Sequence, residues 1–322
     1  MVKFYLAPME GVTTVTFRRA YHKIFRSADK YFTPFLVPHE KKGFSAREWE
    51  ELNPVSNQGM YVVPQILTCQ ADHFVRMATM LKECGYKEVN LNLGCPSKTV
   101  VTKGRGSGFL QDPRKLDRFF ADIFEHMDLE VSVKTRLGLE SPLEFEDILA
   151  VYDKYPLKEV IIHPRVQADY YNNQPDMETF AEAAAGSRHR ICYNGDLFCA
   201  ADVNAFLKQF PWVDTIMLGR GIVTHPDLLN ELCGMEHEST AVWRQFHREL
   251  LDGYCQVLSG DRNVLFKMKE FWSYFVKNFP DEKKLWKKLK KCEKLSVYET
   301  IVEEAFRQQE DRGKNSIKQY GG

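Results

Sequence analysis

Eight short β-rich runs recur through the first two thirds of the sequence, and amphipathic helical patterns separate most of them. Successive runs begin 24 to 42 residues apart, which is typical of repeated strand–helix units. The predicted strands cover residues 3–7, 31–37, 61–67, 88–93, 130–135, 158–163, 190–193 and 214–218. Eight such units in about 220 residues fit a closed (β/α)8 barrel. A doubly wound open sheet is the alternative, but it favours a Gly-x-Gly-x-x-Gly turn that this chain lacks.

The helical patterns carry their own start and stop signals. Helices are predicted over residues 71–84, 113–126 and 145–154. Asp112 precedes Pro113, so a side-chain cap and a proline at the first helical position mark the start of the second helix. Gly85 is suited to end the first. These boundaries favour compact connections between neighbouring strands.

The character of the chain changes after residue 235. Two apolar stripes with three- and four-residue spacing predict amphipathic helices, at Leu265, Met268, Trp272, Phe275 and Phe279, and at Leu285, Leu289, Cys292 and Leu295. The sequence therefore predicts an α/β fold: a (β/α)8 TIM barrel over residues 1–235, followed by a small all-α C-terminal domain over residues 236–310. The polar residues 311–322 are predicted to form a flexible tail.

Charge is distributed unevenly, although the net charge is zero. Residues 262–294 contain eleven Lys and Arg against four Asp and Glu, whereas the rest of the chain has 33 bases and 40 acids. Seven of these lysines lie between Lys283 and Lys294. This basic segment favours a polyanionic partner, and a solvated helix face is the alternative.

Cysteine spacing and hydropathy exclude several classes of protein. The eight cysteines form no Cys-x-x-Cys pair and no metal-ligand spacing, so we expect free thiols in a reducing compartment and no metal site. No apolar run approaches the ~18 residues of a membrane span. The N-terminal apolar run is broken at Pro8, too early for a signal peptide. A cytoplasmic location is therefore predicted, and no obligate protein partner is evident.

Polar or glycine-flanked groups follow seven of the eight predicted strands. In parallel barrels the carboxyl ends of the strands carry the chemistry, so these residues should meet at one mouth. Cys95 lies there between the breakers Gly94 and Pro96, directly after the alternating run 88–93. A buried, inert cysteine in a turn is the simpler interpretation of Cys95 taken alone.

Glycines after the last two strands predict a phosphate site. Asn194-Gly195 follows the seventh strand, and Gly219-Arg220 follows the eighth. In this barrel class, backbone N–H groups at these positions hold a phosphate, and a guanidinium fork can add two charged donors. Gln65 and Lys134 would then face the body of a phosphate-tailed cofactor. A simple turn is the alternative for Asn194-Gly195 alone.

Five motifs, in order, resemble those of the tRNA-dihydrouridine synthase family. They are Pro8-Met9-Glu10-Gly11, Leu91-Asn92-Leu93-Gly94-Cys95-Pro96, Val133-Lys134-Thr135-Arg136-Leu137-Gly138, Asn194-Gly195-Asp196 and Leu218-Gly219-Arg220-Gly221. The resemblance implies a barrel that binds FMN and reduces the C5–C6 double bond of a uridine in tRNA, with NADPH as the reductant. The basic helical segment is similar to the family's tRNA-binding domain.

The resemblance also implies roles for individual residues. Cys95 would be the proton donor to the uracil ring. Substrate contacts are implied for Asn92, Arg136 and Arg165. FMN contacts are implied for Pro8, Met9, Glu10, Gln65, Asn92, Lys134, His163, Asn194, Gly195, Asp196, Gly219 and Arg220. The chain departs from the family pattern at Pro164, where the family commonly has glycine between His163 and Arg165, and Arg105 is assigned no role.

Two other functions remain open from the sequence. An FMN barrel acting on a free pyrimidine, such as a dihydroorotate-oxidising enzyme, would need no basic appended domain. An RNA-binding protein built on an inactive barrel would not need Cys95, Lys134 or the glycines of the phosphate site. Turnover of tRNA compared with free uracil or orotate distinguishes the first alternative, and flavin absorbance of the purified protein distinguishes the second.

Overall fold

The computed structural model describes residues 2–39 and 43–320, with side chains described up to residue 311. Its contacts divide the chain into two compact units, each discontinuous in sequence. The first unit consists of Met1–Pro8, Ala28–Asp196 and Phe206–Leu218. The second unit consists of Met9–Ser27, Leu197–Ala205 and Gly219–Gly322.

The first unit contains a sheet of parallel strands. Within the described residues the strands are β1 (Lys3–Leu6), β2 (Lys30–Phe32), β3 (Val62–Val63), β4 (Gln65–Ile66), β5 (Glu88–Leu93), β6 (Glu130–Thr135), β7 (Val160–Ile162), β8 (Ile191–Tyr193) and β9 (Thr215–Leu218). All pairs are parallel, in the order β3-β2-β1-β9-β8-β7-β6-β5-β4. Every strand overlaps one of the eight predicted runs, which confirms the predicted pattern.

Pro64 explains why eight predicted strands become nine. It separates β3 from β4 and has no N–H to donate to a neighbouring strand. Its carbonyl still accepts from the Asn90 N–H at 2.9 Å, so the chain continues alongside β5. β3 and β4 end the sheet on its two sides and are halves of one run, so the sheet closes on itself. The predicted (β/α)8 barrel is confirmed.

Helices connect the strands and make up most of the C-terminal part of the chain. In order they are α1 (Val15–Ile24), α2 (Ala46–Leu52), α3 (Ala71–Glu83), α4 (Lys98–Val101), α5 (Pro113–His126), α6 (Glu144–Tyr152), α7 (Met177–Gly186), α8 (Ala200–Gln209), α9 (Arg220–Thr224), α10 (Leu228–Leu232), α11 (Thr240–Val257), α12 (Asp261–Phe275), α13 (Glu282–Lys291) and α14 (Leu295–Tyr320). Short 3-10 turns span Gly106–Gln111, Gln167–Asp169 and Val276–Asn278. No helix in the described ranges is long and apolar enough to cross a membrane.

Local sequence signals determine several helix ends. The Asp112 carboxylate accepts from the Lys115 N–H at 3.0 Å, and Pro113 is the first residue of α5, as predicted. Gly85 follows α3 with a φ of 92°, in the region that favours glycine. These caps explain why the predicted bounds of α3 and α5 agree with the structure within one residue.

The barrel interior is apolar in its middle and ionic at the amino ends of the strands. A buried cluster of seven side chains lies inside, consisting of Tyr5, Ala7, Phe32, Val63, Ile161, Cys192 and Met217. Toward the amino ends, the Lys30 ammonium lies 3.0 Å from the Glu88 carboxylate and 2.6 Å from that of Glu159. Both carboxylates are almost fully buried, so the pairing offsets the cost of removing these charges from water.

The second unit is helical, and its interior is rich in aromatic rings. The predicted stripe from Leu265 to Phe279 is buried along α12 and the turn after it. Phe17 of α1 meets Phe246 of α11 edge to face at 5.7 Å, and the Thr14 hydroxyl lies 3.0 Å from that of Tyr254. Residues 9–27 therefore group with the C-terminal helices through apolar burial, which their position in the sequence does not indicate.

These units differ from the predicted domains. The predicted boundary after residue 235 stays a prediction, as does the flexible tail over residues 311–322. The backbone of α14 extends to Tyr320, and Gly321 and Gly322 lie outside the described residues. In the second predicted stripe, Leu285, Leu289 and Cys292 are buried, whereas Leu295 is only half-buried.

A buried hydrogen-bonded trio lies within the second unit. The Trp272 indole N–H donates to the Tyr298 hydroxyl at 2.7 Å, and that hydroxyl lies 2.5 Å from His247 Nε2. With its oxygen accepting from the indole, the Tyr298 hydroxyl can donate its own proton to His247 Nε2, an arrangement that suits a neutral ring with its proton on Nδ1. Burial is the main reason that the pKa of His247 falls to about 3.

This histidine should make the unfolding free energy depend on pH. Between pH 6.5 and about 3, His247 binds a proton in the unfolded chain but not in the folded protein. Acidification therefore lowers the free energy of unfolding by up to about 1.4 kcal/mol per pH unit. We expect His247→Phe to show a shallower loss of stability than the wild type in urea unfolding between pH 7 and 4.5. His126→Gln, at an exposed histidine, is the control. Equal slopes for His247→Phe and the wild type would contradict this assignment.

Candidate active site at the carboxyl ends of the barrel strands

Cys95 lies on a turn whose backbone is held by side chains. β5 ends at Leu93, and the Asn92 side-chain oxygen accepts from the Gly94 N–H at 3.1 Å and from the Cys95 N–H at 2.9 Å. The Cys95 carbonyl accepts from the N–H and the hydroxyl of Ser107 at 3.1 and 2.9 Å. The Cys95 residue is partly exposed. The structure therefore places a thiol on a rigid turn after a barrel strand.

Gly106 allows the neighbouring loop to approach this turn. Its φ is 57°, and a Cβ atom there would lie 2.8 Å from the Cys95 carbonyl oxygen and 3.0 Å from the Cys95 Cβ. Any other residue would be strained in its backbone and would collide with the cysteine. The close approach brings Ser107 within hydrogen-bond distance. Sequence reasoning assigned no role to Arg105 in this loop and did not single out Gly106 or Ser107.

Polar side chains continue from Asn92 into the barrel. The Asn92 amide donates to the Gln65 side-chain oxygen at 2.7 Å, and the Gln65 amide donates to Asn90 Oδ1 at 2.8 Å. Asn90 in turn donates to the Ser132 hydroxyl at 3.0 Å. Gln65 and Asn92, which the sequence singles out, are thus in contact. Asn90 and Ser132 were missed, although their alternation with apolar strand residues could have identified them.

Lys134 is a cation without a partner inside the barrel. It lies beside Asn92 in the pairing of β5 with β6, and its ammonium makes no hydrogen bond or ion pair with any residue that the structure describes. Burial, and secondly the charge of Arg136, lower the pKa of Lys134 to about 8. A partly buried ammonium with no acceptor among the described residues is the arrangement expected where an anionic ligand group binds.

Arg136 contrasts with Lys134, because each nitrogen of its guanidinium donates to an acceptor within the protein. It is completely buried and donates to the carbonyls of Gly94 at 3.0 Å, Val166 at 2.8 Å and Tyr170 at 2.6 Å. These bonds connect the cysteine turn to the loop after β7. The guanidinium also lies 5.3 Å from the ring centre of Tyr171, which is 53% exposed. Tyr171, on a loop without periodicity, was missed by the sequence reasoning.

Arg165 is held in the same way. Its guanidinium forms two hydrogen bonds with the Asp196 carboxylate, at 2.9 and 2.5 Å, and donates to the Asn173 carbonyl at 2.6 Å. A further donor lies 2.9 Å from His163 Nε2. Because arginine cannot accept, His163 Nε2 must accept, and its proton is on Nδ1. The structure thus brings together three predicted site residues, and substrate contact by Arg136 or Arg165 stays a prediction.

Asn194 and Gly195 follow β8. The Asn194 amide donates to the Met217 carbonyl at 2.8 Å, which connects the end of β8 to β9. A Cβ atom on Gly195 would lie 2.0 Å from the Tyr193 hydroxyl, so the position accepts only glycine unless that ring moves. Pro8 also belongs to the first unit and is partly exposed after β1.

The remaining predicted residues lie in the second unit. The Met9 N–H donates to the Thr13 hydroxyl at 2.8 Å, and Glu10 is the next residue. Gly219 immediately precedes α9, and the Arg220 guanidinium lies 5.1 Å from the ring centre of Phe198. The predicted pairing of Gly219 and Arg220 with Asn194 and Gly195 around a phosphate stays a prediction.

Comparison with known proteins identifies one family and several relatives that match most of the chain. A family model described as Dihydrouridine synthase (Dus) matches residues 5–318. Probable tRNA-dihydrouridine synthase 1 from Synechocystis sp. is 23% identical over 311 residues, 93% of this chain and 85% of that protein. Probable tRNA-dihydrouridine synthase 2 from Bacillus subtilis is 30% identical over 237 residues, 69% of this chain and 70% of that protein.

A solved structure supports the fold independently. A variant of NCR from Zymomonas mobilis matches with a TM-score of 0.52 and 14% identity, covering 75% of this chain and 90% of the other. At this identity the likeness concerns the barrel architecture alone.

Lys134 should destabilise the ligand-free protein, because partial burial disfavours its charged form and lowers its pKa in the folded state. We expect Lys134→Met to raise the unfolding free energy at pH 7 by up to about 3 kcal/mol in flavin-free protein, measured by urea unfolding. Between pH 8 and 10.5 the unfolded chain binds more protons, so wild-type stability should rise with pH there and that of the variant should not.

Lys158→Met is the matched control for removing a barrel lysine. The Lys158 ammonium lies 2.8 Å from the Glu88 carboxylate, and its hydrogen bonds to carboxylates raise its pKa despite partial burial. Its loss should therefore destabilise the protein. A destabilised Lys134→Met variant would argue that Lys134 has a structural partner and is not reserved for a ligand.

Proposed function

The chain belongs to the dihydrouridine synthase family, and from this premise we propose that it reduces uridine in tRNA to dihydrouridine, with FMN as the bound cofactor and NADPH as the reductant. The main observation in support is the pairing of a partly exposed thiol on a rigid turn with the unpartnered ammonium of Lys134. NADPH as the reductant stays a prediction from the resemblance, and a cytoplasmic location stays a prediction from the cysteine spacing and the hydropathy.

The residues of the first unit suit a flavin. A reduced flavin supplies a hydride to C6 of the uracil ring when bound. Lys134 offers a charge for the anionic edge of the reduced ring, and the unmet hydrogen-bonding capacity of its ammonium is consistent with this role. Asn92 lies opposite Lys134 in the pairing of β5 with β6, and hydrogen bonds fix the amides of Asn92 and Gln65. Phosphate contacts of Asn194 and Gly195, and of Gly219 and Arg220, are part of the proposal.

Cys95 completes the reduction as a general acid. When hydride reaches C6, the electron pair of the double bond becomes localised on C5 and the adjacent O4 carbonyl. The Cys95 thiol donates its proton to C5 and is left as a thiolate, which solvent later reprotonates. The charges of Lys134 and Cys95 interact, so the ammonium stabilises this thiolate. A rigid turn keeps the sulfur in place, because Asn92 and Ser107 hold the backbone on both sides.

A uridine in folded tRNA is stacked, so it must leave the stack to reach this site. Tyr171 presents an exposed ring, and the Arg136 guanidinium lies against it with its position set by three carbonyls. Aromatic rings of this kind provide stacking surfaces for unpaired bases. In the second unit, the exposed lysines of α13 provide charge for the phosphate backbone of tRNA.

The proposed function is tested with purified protein, NADPH and tRNA that lacks dihydrouridine. We expect flavin absorbance and dihydrouridine in nuclease digests analysed by mass spectrometry, with no turnover of free uracil or orotate. Cys95→Ala should remain yellow and lose about 100-fold or more in rate, the scale of a lost general acid.

Cys84→Ala is the control, since Cys84 is another partly buried thiol, directly after α3. It should retain the wild-type rate. Full activity of Cys95→Ala would remove Cys95 from the proton-donor role, and absence of dihydrouridine with the wild type would refute the function itself.

The lysines of α13 should contribute to tRNA affinity without reading sequence. Lys283, Lys287 and Lys291 are exposed and spaced four residues apart, so they share one face of the helix. Exchanging all three for glutamine should weaken binding and reduce the slope of log Kd against log salt by up to about 2–3, measured by filter binding.

Exposed lysines of the first unit provide the matched control for that experiment. Exchanging Lys87, Lys115 and Lys208 for glutamine makes the same change in net charge. This variant should keep the wild-type slope. An equal reduction in both triple variants would mean that only total charge matters and that α13 is no specific tRNA contact.

A further inference from the structure

The hydrogen bonds that lead from Cys95 into the barrel run in one direction. The Cys95 N–H donates to Asn92, Asn92 to Gln65, and Gln65 to Asn90, over distances of 2.9, 2.7 and 2.8 Å. Asn90 then donates to the Ser132 hydroxyl at 3.0 Å. In every step the side-chain amide accepts at its oxygen and donates at its nitrogen.

Glu88 terminates this chain of bonds as an obligate acceptor. The Ser132 hydroxyl donates to Glu88 Oε1 at 3.0 Å. The same carboxylate receives the ammonium of Lys30 at 3.0 Å, that of Lys158 at 2.8 Å and the Tyr61 hydroxyl at 3.1 Å. Both Glu88 oxygens lie within hydrogen-bond distance of ammonium groups, which can only donate, so this carboxylate acts as an acceptor.

The groups at the two ends of this series of hydrogen bonds therefore determine the direction of donation along it. Backbone N–H groups can only donate, and the Glu88 carboxylate accepts from the ammonium groups around it, so each amide between these two ends has one orientation that satisfies both neighbours. The middle members are buried, where an unpaired polar group is costly. Glu88 and Asn92 are four residues apart on β5, a span of about 13 Å.

Asn92 is the member whose orientation matters for the reaction. With its oxygen toward the turn, it accepts from Gly94 and Cys95 together. The reversed amide would point two N–H donors at those two N–H groups and would release the turn. The hydrogen bonds thus connect the Cys95 turn to a carboxylate at the opposite end of β5.

We propose that Asn90, Ser132 and Glu88 are positioning residues for Cys95, acting through the amides of Gln65 and Asn92. None of the three has to touch the substrate. Their effect is to keep one amide orientation at Asn92 and so to hold the thiol in reach of the uracil ring. The expected effect on kcat rests on the proposed function. The expected protection of the Gly94 and Cys95 amides from hydrogen exchange does not depend on that function.

Ser132→Ala is the decisive variant, since it removes the acceptor of Asn90 and the donor to Glu88 while leaving every ion pair in place. We expect kcat for dihydrouridine formation to fall about 10-fold with KM for tRNA and flavin content unchanged, because a thiol displaced by a fraction of an ångström reacts more slowly. Hydrogen–deuterium exchange of the holoenzyme should be faster at the Gly94 and Cys95 amides. Ser132→Thr, which keeps the hydroxyl, should restore both values.

Tyr152→Phe is the matched control. This substitution also removes one buried hydroxyl of the first unit. The Tyr152 hydroxyl donates to the Thr135 hydroxyl at 2.9 Å and, within the part of the chain that the structure describes, has no bond to the hydrogen-bonded series that ends at Glu88. This variant should lose thermal stability and keep the wild-type kcat and exchange rates. A similar fall of kcat in Tyr152→Phe would reduce the effect of Ser132→Ala to general loosening of the barrel and overturn the proposal.

The remaining outcomes are equally decisive. Unchanged kcat and exchange in folded Ser132→Ala, or failure of Ser132→Thr to restore them, would overturn the proposal. If Ser132→Ala does not fold, Asn90→Leu provides the same measurement with a side chain of similar volume. Rapid exchange of the Gly94 and Cys95 amides in the wild type would refute the premise. A wild type that protects these amides but forms no dihydrouridine would refute the proposed function alone.

Discussion

Polar groups inside a closed parallel barrel have almost no water to bond with, so each of them needs a partner within the protein. The pairing of Glu88 with Lys30, at 3.0 Å, meets this need at the amino ends of the strands. It provides the fixed acceptor on which Ser132 and Asn90 depend, and through them the amides beside the cysteine turn. Because an unpaired buried carboxylate would be strongly destabilising, this ion pair determines what the barrel interior can hold.

The two ends of the barrel use charge differently. At the amino ends, Lys30 and Lys158 are paired with carboxylates, and this pairing stabilises the fold. At the carboxyl ends, every guanidinium nitrogen of Arg136 and Arg165 has a protein partner, whereas the Lys134 ammonium has no acceptor among the described residues. Arginine suits the structural task because its planar fork bonds several acceptors at once, and lysine suits a ligand because it is a single point charge.

A proton donor for carbon needs a fixed position more than it needs an unusual acidity. The Cys95 turn has that property because its N–H and its carbonyl are both bonded to side chains, from Asn92 and Ser107. Arg136 adds a bond to the Gly94 carbonyl and thereby connects the turn to the loop that carries Tyr171. One buried guanidinium thus links the proposed acid to the proposed base-stacking surface, which relates reaction geometry to nucleotide recognition.

The sequence alone determined the barrel and the candidate site residues at its mouth, because strand alternation, the Asp112 cap and short motifs are local properties that survive in any tertiary context. Only the tertiary structure determined which side chains form hydrogen bonds or apolar contacts with each other. The sequence predicted Arg136 and Arg165 as substrate contacts. It did not indicate their protein acceptors, which lie about 30 to 42 residues away in the sequence or on the loop after β7. Residues 9–27 joined the C-terminal helices through apolar contacts such as Phe17 with Phe246. Such pairings depend on which distant chain segments burial brings together, and a linear pattern does not encode that.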